Sequence, residues 1–274
     1  MNRRVYLIAG ALLIVILMWV GLSRKKDRPD SPQAQAASTK EVLPQPLYDQ
    51  GVELEKEGEM IQAKQVYQKV IGDHPDFEQV EEIQKRLEKL NMRILFSNVP
   101  TEETTIHKVE SGDTLGKLAK KYRTTIELIK ISNHLSSNII RVGQNLRIWT
   151  GTFNILVDKS QNILILKDED EVMKVYTVST GENNSTPIGN FTIVEKLVNP
   201  VWFNRGAVVP PESPANVLGS RWLGFDLAGY GIHGTTEPET IGTQETAGCI
   251  RMKNEDVEEL FSILPRGVKV TIVN

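Results

Sequence analysis

The chain has 274 residues, 40% of them apolar, so it can bury a substantial core and hold more than one module. Its formal net charge of −3 excludes the basic stripe with which nucleic-acid-binding proteins neutralise phosphates. Its four histidines and single cysteine form no familiar close-spaced ligand set, so we expect no metal and no other cofactor.

An uncharged apolar run from Val5 to Leu22 lies near the start of the chain. It is just long enough to cross a bilayer as a helix, and a cleaved signal peptide is the alternative. Arg24, Lys25 and Lys26 follow almost at once, and no small-x-small cleavage site ends the run. We therefore predict an uncleaved signal anchor, a transmembrane helix, over residues 1–26.

The next segment changes from linker to helix. Residues 27–46 are rich in Pro, Ala, Gln and Ser without apolar periodicity, which is typical of a flexible linker. Residues 47–95 carry apolar residues at helical spacing that resemble one tetratricopeptide repeat (TPR). One repeat is too little for a solenoid, so a helical spacer and a partner-binding segment remain alternatives.

Residues 105–150 predict the order strand, helix, helix, strand and resemble a LysM module, whose family binds the N-acetylglucosamine of peptidoglycan or chitin. In the first turn, glycine reverses the chain and the following Asp or Thr can cap the first helix. The resemblance implies glycan contacts from Gly112, Asp113, Thr114 and Ile139. We expect His107 and His134 to be surface or loop residues.

Residues 152–274 contain apolar runs of period two, which predict β-strands. The predicted strands are Phe153–Asp158, Asn162–Leu166, Val172–Val178, Gly189–Val194 and Val268–Val273. One helix is predicted near Asn254 to Leu264, with Asn254 as its N-terminal cap. These elements predict a mainly-β sandwich with a short helix.

The only cysteine lies in Thr246-Ala247-Gly248-Cys249-Ile250-Arg251-Met252, downstream of Tyr230-Gly231-Ile232-His233-Gly234-Thr235. A thiol with a glycine before it and a distant histidine is what cysteine acyl-transfer chemistry requires, because histidine can take the thiol proton. The alternative is a small buried cysteine and a structural histidine.

These two motifs resemble, in order and spacing, the catalytic signature of the L,D-transpeptidase (YkuD) family. The resemblance extends upstream through Ser179-Thr180-Gly181, Thr186-Pro187-Ile188-Gly189-Asn190-Phe191 and Asn199-Pro200-Val201-Trp202, and so covers residues 152–273. One position departs from the family pattern, because Ala247 replaces the histidine found two residues before the nucleophile. Alanine still offers its backbone N–H at that point.

The resemblance implies a peptidoglycan L,D-transpeptidase, a cysteine-dependent acyltransferase that cuts a stem tetrapeptide before its terminal D-alanine. It implies that Cys249 is the nucleophile, His233 the general base and acid, and the Gly234 carbonyl the group that orients the histidine. Backbone N–H groups of Ala247 and Gly248 would hold the oxyanion. The acyl group would pass to an amine of a second stem, giving a 3–3 cross-link, to an envelope protein, or to water.

Three further residues are candidate substrate contacts: Tyr230, Trp202 and Arg251. The alternative is that the two aromatic residues belong to the core and that Arg251 pairs with a nearby carboxylate. A rival to the enzyme as a whole is a catalytically impaired, wall-binding scaffold, since Ala247 departs from the family pattern.

Together these segments predict a multidomain chain with a transmembrane helix, a TPR-like helical segment, a βααβ LysM module and a mainly-β catalytic domain. The basic residues after the apolar run favour a cytoplasmic body by the positive-inside rule. Both downstream modules resemble cell-wall modules, so we instead predict a membrane-anchored protein whose catalytic domain faces the periplasm or cell wall. The expected partners are peptidoglycan, the inner membrane through residues 5–22, and a protein bound by the helical segment if it is not a spacer.

Overall fold

The structure is a computed structural model that describes residues 43–204 and 206–274. The described residues fall into two compact units, which are divided between Asn91 and Met92. The predicted signal anchor and most of the predicted linker lie outside the described residues. Within the described residues, no helix is both long and apolar enough to cross a membrane.

The first unit is helical, as predicted. Its helices are α1 (Pro44–Glu57), α2 (Met60–Asp73) and the first part of α3 (Val80–Phe96). Helix α1 begins three residues before the predicted start, because proline suits the first turn of a helix. Gly51 leaves room for the buried Tyr67 ring, since a Cβ at Gly51 would lie 2.4 Å from Tyr67 Cε1.

The second unit begins with the predicted strand–helix–helix–strand module. Its elements are β1 (Thr104–Lys108), α4 (Leu115–Tyr122), α5 (Ile126–Ser132) and β2 (Asn145–Trp149), with β1 and β2 antiparallel. Thr114 caps α4 by accepting a hydrogen bond from Lys117 N–H at 3.2 Å. This confirms the capping prediction for Thr114.

The expectation that His107 lies at the surface is wrong. Its side chain is buried on β1, where Nδ1 lies 3.0 Å from the Tyr122 hydroxyl and Nε2 lies 2.8 Å from Asp113 Oδ2. A buried imidazole needs partners for both ring nitrogens, and these two residues supply them.

The rest of the second unit is mainly β, as predicted. Eight strands form one sheet in the order β13-β11-β10-β7-β14-β3-β4-β5. They are β3 (Phe153–Asp158), β4 (Ile163–Asp168), β5 (Glu171–Thr177), β7 (Gly189–Val198), β10 (Arg221–Phe225), β11 (Gly231–His233), β13 (Ile250–Arg251) and β14 (Lys269–Val273). Two short pairs accompany the sheet: β6 (Thr180–Gly181) with β12 (Gln244–Thr246), and β8 (Trp202–Asn204) with β9 (Ala207–Val209).

The sheet curls around one core instead of forming a sandwich of two facing sheets. Side chains from β5 at one edge and β13 at the other, Tyr176 and Ile250, belong to the same buried cluster as the helix α6 (Asn254–Ile263). A single twisted sheet can enclose a helix in this way without a second layer. The predicted sandwich layering is therefore corrected to a curled sheet.

The LysM module and the curled sheet share that core. Leu128 of α5 and Trp149 of β2 lie in the same cluster as the sheet residues, and the Thr125 hydroxyl donates a hydrogen bond to the Ser262 carbonyl of α6. The Trp149 ring stacks on Phe153 with 6.2 Å between ring centroids. The module is thus packed against the sheet and is not tethered by a linker.

Candidate active site

Two short neighbouring strands hold the histidine and the cysteine. Strand β11 ends at His233 and pairs in parallel with β13, with Ile232 opposite Ile250 and His233 opposite Arg251. Cys249 directly precedes β13 and is therefore level with Gly231. Because side chains alternate between the faces of a sheet, Cys249 and His233 project from the same face. The opposite face carries Ile232 and Ile250, which are fully buried in the core.

The His233 ring is fixed by the carbonyl of the next residue. Its Nδ1 lies 2.7 Å from Gly234 O, and a carbonyl can only accept, so Nδ1 carries the proton and Nε2 is free to take one. The ring is buried and stacks on Trp222 of β10, with 6.0 Å between centroids. Burial lowers the pKa of His233 to about 4, which keeps the free imidazole neutral.

The Cys249 thiol is also neutral in the resting site. Its Sγ lies 3.4 Å from Gly229 O, to which the thiol can donate. Burial raises the pKa of Cys249 to about 11, and the backbone N–H of Gly231 opposes that rise only in part. The site therefore pairs a protonated thiol with a neutral imidazole, and a nucleophilic role for the sulfur would require transfer of the thiol proton.

A threonine fixes the turn that presents the cysteine. Thr246 Oγ1 donates to Cys249 O at 2.6 Å and accepts from Gly248 N–H at 3.1 Å. Gly248 has φ 129°, and a Cβ there would lie 2.8 Å from Tyr230 Cε1. Only glycine fits this position, because both the backbone angle and the nearby ring exclude a side chain.

Comparison with known proteins places this site in a family. Residues 152–272 match the YkuD model, described as the L,D-transpeptidase catalytic domain, and residues 107–149 match the LysM domain. The chain is 34% identical over 174 residues to YkuD of Bacillus subtilis (strain 168), which is named provisionally an L,D-transpeptidase. The matched residues are 61% of this chain and 97% of that protein. The chain belongs to the L,D-transpeptidase (YkuD) family. A second Bacillus subtilis relative, YqjB, named in the same provisional way, is 39% identical over 126 residues, which are 44% of this chain and 70% of that protein.

Solved structures of L,D-transpeptidases are more distant. L,D-transpeptidase 3 from Mycobacterium tuberculosis, in complex with a faropenem-derived adduct, is 16% identical with a TM-score of 0.39 and covers 48% of this chain and 65% of that chain. The catalytic domain of the E. faecium L,D-transpeptidase is 20% identical with a TM-score of 0.38 and covers 45% of this chain and 98% of that chain.

Three residues were predicted as substrate contacts, and the structure places each of them in different surroundings. Tyr230 packs beside Gly248, the residue before Cys249. Arg251 is buried, and its guanidinium contacts Glu245 at 3.0 Å and Glu237 at 3.4 Å. Trp202 lies on the separate β8–β9 hairpin and not on the curled sheet. Tyr230 thus lies beside the residue that precedes Cys249, whereas Arg251 joins the segments that follow His233 and precede Cys249.

Ala247 is the position where this member of the family departs from the family signature. Its side chain is exposed between Thr246 and Gly248. The N–H of Gly248 is already used by the Thr246 hydroxyl, so an oxyanion bound there would share that donor. The N–H of Ala247 is a second donor in the same turn, and replacing histidine by alanine leaves it intact.

Sequence reasoning missed two residues behind the histidine. Trp222 lies on β10 directly opposite His233. Asn254 was predicted to cap α6, and that prediction is wrong. It is the first residue of the helix, and its side chain binds the backbone of Ser220 and Thr235. The sequence does contain a signal, an Asn at the start of an apolar helical run. A helix N-terminal cap accounts for that signal as well as the observed contacts do.

The LysM module carries a cleft that contains one of the four predicted glycan contacts. Ile139 is 78% exposed and lines the cleft together with His134, Leu135, Ser136, Ser137, Arg141 and Gln144. The other three predicted contacts lie in the turn before α4, where Asp113 accepts from Glu110 N–H at 2.8 Å. That bond, followed by the His107 contact, lowers the pKa of Asp113.

Proposed function

We propose that the chain is a peptidoglycan L,D-transpeptidase with Cys249 as nucleophile and His233 as general base. The observation that carries the proposal is the parallel β11–β13 pair, which projects both side chains from one face while Gly234 O holds the Nδ1 proton. A neutral imidazole beside a protonated thiol is suited to general-base catalysis and not to a preformed ion pair.

The reaction proceeds in two balanced steps. Cys249 Sγ attacks the carbonyl that joins the third stem residue to the terminal D-alanine, and His233 Nε2 takes the thiol proton. The C–N bond breaks, D-alanine leaves with the proton returned by His233, and a thioester remains. An amine of a neighbouring stem then attacks the thioester, which releases the thiol and leaves a 3–3 amide cross-link. Water in place of the amine would give an L,D-carboxypeptidase, and a protein lysine would give attachment of that protein to the wall.

The remaining residues of the proposal support these steps. The N–H groups of Ala247 and Gly248 would stabilise the oxyanion, a role in which one donor is worth about 3–4 kcal/mol elsewhere. Tyr230, Arg251 and Trp202 are proposed to contact or frame the stem peptide, with Tyr230 best supported because it touches Gly248. The predicted glycan contacts are Gly112, Asp113, Thr114 and Ile139, of which Ile139 lines the exposed cleft.

The proposed location is the outer side of the membrane. It rests on the LysM and L,D-transpeptidase domains and on the apolar run from Val5 to Leu22, which would anchor the chain. The helical segment is proposed as a spacer or as the site of a protein partner.

The test incubates purified full-length protein with a disaccharide-tetrapeptide and follows products and protein by mass spectrometry. Loss of D-alanine with a dimer linked between third residues supports the transpeptidase, and loss of D-alanine without a dimer indicates the carboxypeptidase. The control is Cys249→Ser, whose hydroxyl is a far weaker nucleophile at neutral pH.

Ala247 provides the observation that favours the rival scaffold. Absence of product and of a carbapenem adduct, from protein with a cooperative thermal transition, would favour that rival. A large gain of activity in Ala247→His would show that the family histidine has a chemical role that this chain lacks. Unchanged activity would mean that only the backbone N–H is needed at this position.

A further inference from the structure

The Asn254 side chain joins three backbone segments behind His233. Its Oδ1 accepts from Thr235 N–H and from Ser220 N–H, each at 3.1 Å, and its Nδ2 donates to Thr235 O at 2.8 Å. All three contacts are to backbone groups, so the amide acts as a fixed bracket between α6, the residue directly before β10 and the segment after β11.

Two glycines make room for this bracket. A Cβ at Gly234 would lie 2.1 Å from Asn254 Oδ1, and a Cβ at Gly219 would lie 2.3 Å from the same atom. Gly219 also has φ 63°, in the left-handed region that favours glycine. The close approach of the amide to Gly234 therefore requires the absence of a side chain at both positions.

The bracket acts on the peptide unit that orients the catalytic ring. Thr235 N–H and Gly234 C=O are the two ends of one planar peptide group, and in a trans peptide they point in opposite directions. Asn254 Oδ1 holds the N–H end, and His233 Nδ1–H donates to the C=O end at 2.7 Å. Fixing the N–H toward Asn254 therefore fixes the carbonyl toward His233, and a hydrogen bond at one end of a peptide group strengthens the acceptor at the other.

We propose that Asn254 is a positioning residue that, through the Gly234–Thr235 peptide, holds His233 in the tautomer with the proton on Nδ1 and a free Nε2. The catalytic consequence rests on the proposed function, whereas the effect on the ring does not. The side-chain hydrogen bonds of Asn254 all go to backbone groups of Ser220 and Thr235, so we assign it a positioning role and no direct part in the reaction.

The chain offers a matched control. Asn133 in the LysM module also brackets one residue with its amide: Oδ1 accepts from Arg147 N–H and Nδ2 donates to Arg147 O, each at 2.7 Å. Asn133→Ala removes the same kind of contact as Asn254→Ala, but away from the histidine. Both variants are expected to lower the thermal midpoint, and only Asn254→Ala is expected to alter His233.

The experiment records long-range ¹H–¹⁵N spectra of the histidine rings in full-length, ¹⁵N-labelled protein at pH 7, with His233→Gln to assign the signals. The same proteins are tested for the rate of acylation by a carbapenem. In Asn254→Ala we expect the two ring-nitrogen shifts of His233 to move toward each other, as the two tautomers mix. Acylation is expected to fall about tenfold to a hundredfold, within the usual contribution of a general base. Asn254→Asp keeps the acceptor for Thr235 N–H, the contact that orients the peptide, so its His233 shifts should stay close to those of the wild type. It loses the donor to Thr235 O, so its thermal midpoint should fall.

The proposal is overturned if Asn254→Ala keeps the wild-type His233 shifts while its thermal midpoint falls as in Asn133→Ala. Should the alanine variant fail to fold, Asn254→Ser, whose shorter side chain cannot reach both Thr235 groups, takes its place with the same expected outcomes. A wild-type protein that shows the Nδ1–H tautomer but forms no acyl adduct refutes the proposed function and leaves the positioning role supported.

Discussion

The resting site contains a protonated thiol and a neutral imidazole. We therefore expect the rates of alkylation and of acylation of Cys249 to depend on pH in two different ways. Burial raises the pKa of Cys249 to about 11 and lowers that of His233 to about 4. A reagent that reacts with free thiolate, such as iodoacetamide, reports the first value. A β-lactam that depends on proton transfer to His233 reports the second.

The magnitudes follow from the acid–base equilibria. At pH 7 a thiol of pKa about 11 is ionised to ~10⁻⁴, about 300-fold less than an ordinary cysteine of pKa near 8.5. The more basic thiolate is intrinsically more nucleophilic, by about tenfold over that pKa difference. We therefore expect alkylation of Cys249 to be about 30-fold slower than that of a free thiol, and to rise about tenfold per pH unit up to about pH 10.

Carbapenem acylation should instead be nearly independent of pH from about 5.5 to 9, and fall only as His233 becomes protonated toward pH 4. Because the chain has a single cysteine, both reactions are read directly from the mass of the intact protein. In His233→Gln, acylation should lose its plateau and follow the alkylation profile. An alkylation rate that is already maximal at pH 7 would refute this reasoning, since it would require a preformed thiolate–imidazolium pair.

Three further substitutions test other parts of the structure. Gly248→Ala should lower carbapenem acylation at least tenfold, because backbone strain of about 1–3 kcal/mol and contact with the Tyr230 ring would displace Cys249. The control is Gly267→Ala, which is also at positive φ but has nothing within 4 Å of the added Cβ. Burial raises the pKa of Asp168 to about 6, so its stabilising contribution is present below pH 4 and is lost as pH rises through 6. Asp168→Asn can still accept a hydrogen bond from Trp149 Nε1. It should therefore raise the free energy of unfolding, measured in urea, by about 1–2 kcal/mol at pH 7 and leave it unchanged at pH 4. An equal increase at both pH values would contradict this reasoning. Ile139→Asp should weaken sedimentation with isolated peptidoglycan without lowering the thermal midpoint, and unchanged sedimentation would remove Ile139 from the glycan site.

The parts of the fold that could be predicted are those with a strong local pattern. The hairpin of β3 and β4 consists of two apolar runs separated by a short polar turn, and helix α6 has its apolar residues at helical spacing. Both were therefore predicted within about one or two residues. Strands β11 and β13 are only three and two residues long. Such segments are too short to carry a period, and they become strands only because neighbouring strands pair with them.

The candidate site shows the same division. His233 and Cys249 were predicted from motif spacing, which carries no information about the orientation of the Gly234–Thr235 peptide plane. Asn254, Gly219 and Gly234 each have an ordinary local explanation, as a cap or as a turn. Their joint role exists only in three dimensions, where one amide oxygen lies within 2.3 Å of where both missing Cβ atoms would be. No single-position signal could have indicated it.

The shared core decides how the LysM module must be tested. Removing residues 105–150 would take away Leu128 and Trp149, which are buried together with the strands of the curled sheet. Loss of two such side chains costs about 2–5 kcal/mol each, against a total stability of about 5–15 kcal/mol for a typical domain. A deletion variant that failed to bind peptidoglycan would therefore not separate lost glycan contacts from a damaged catalytic domain. A substitution at the exposed Ile139 changes the cleft and leaves the core intact, so only that comparison assigns glycan binding to the module.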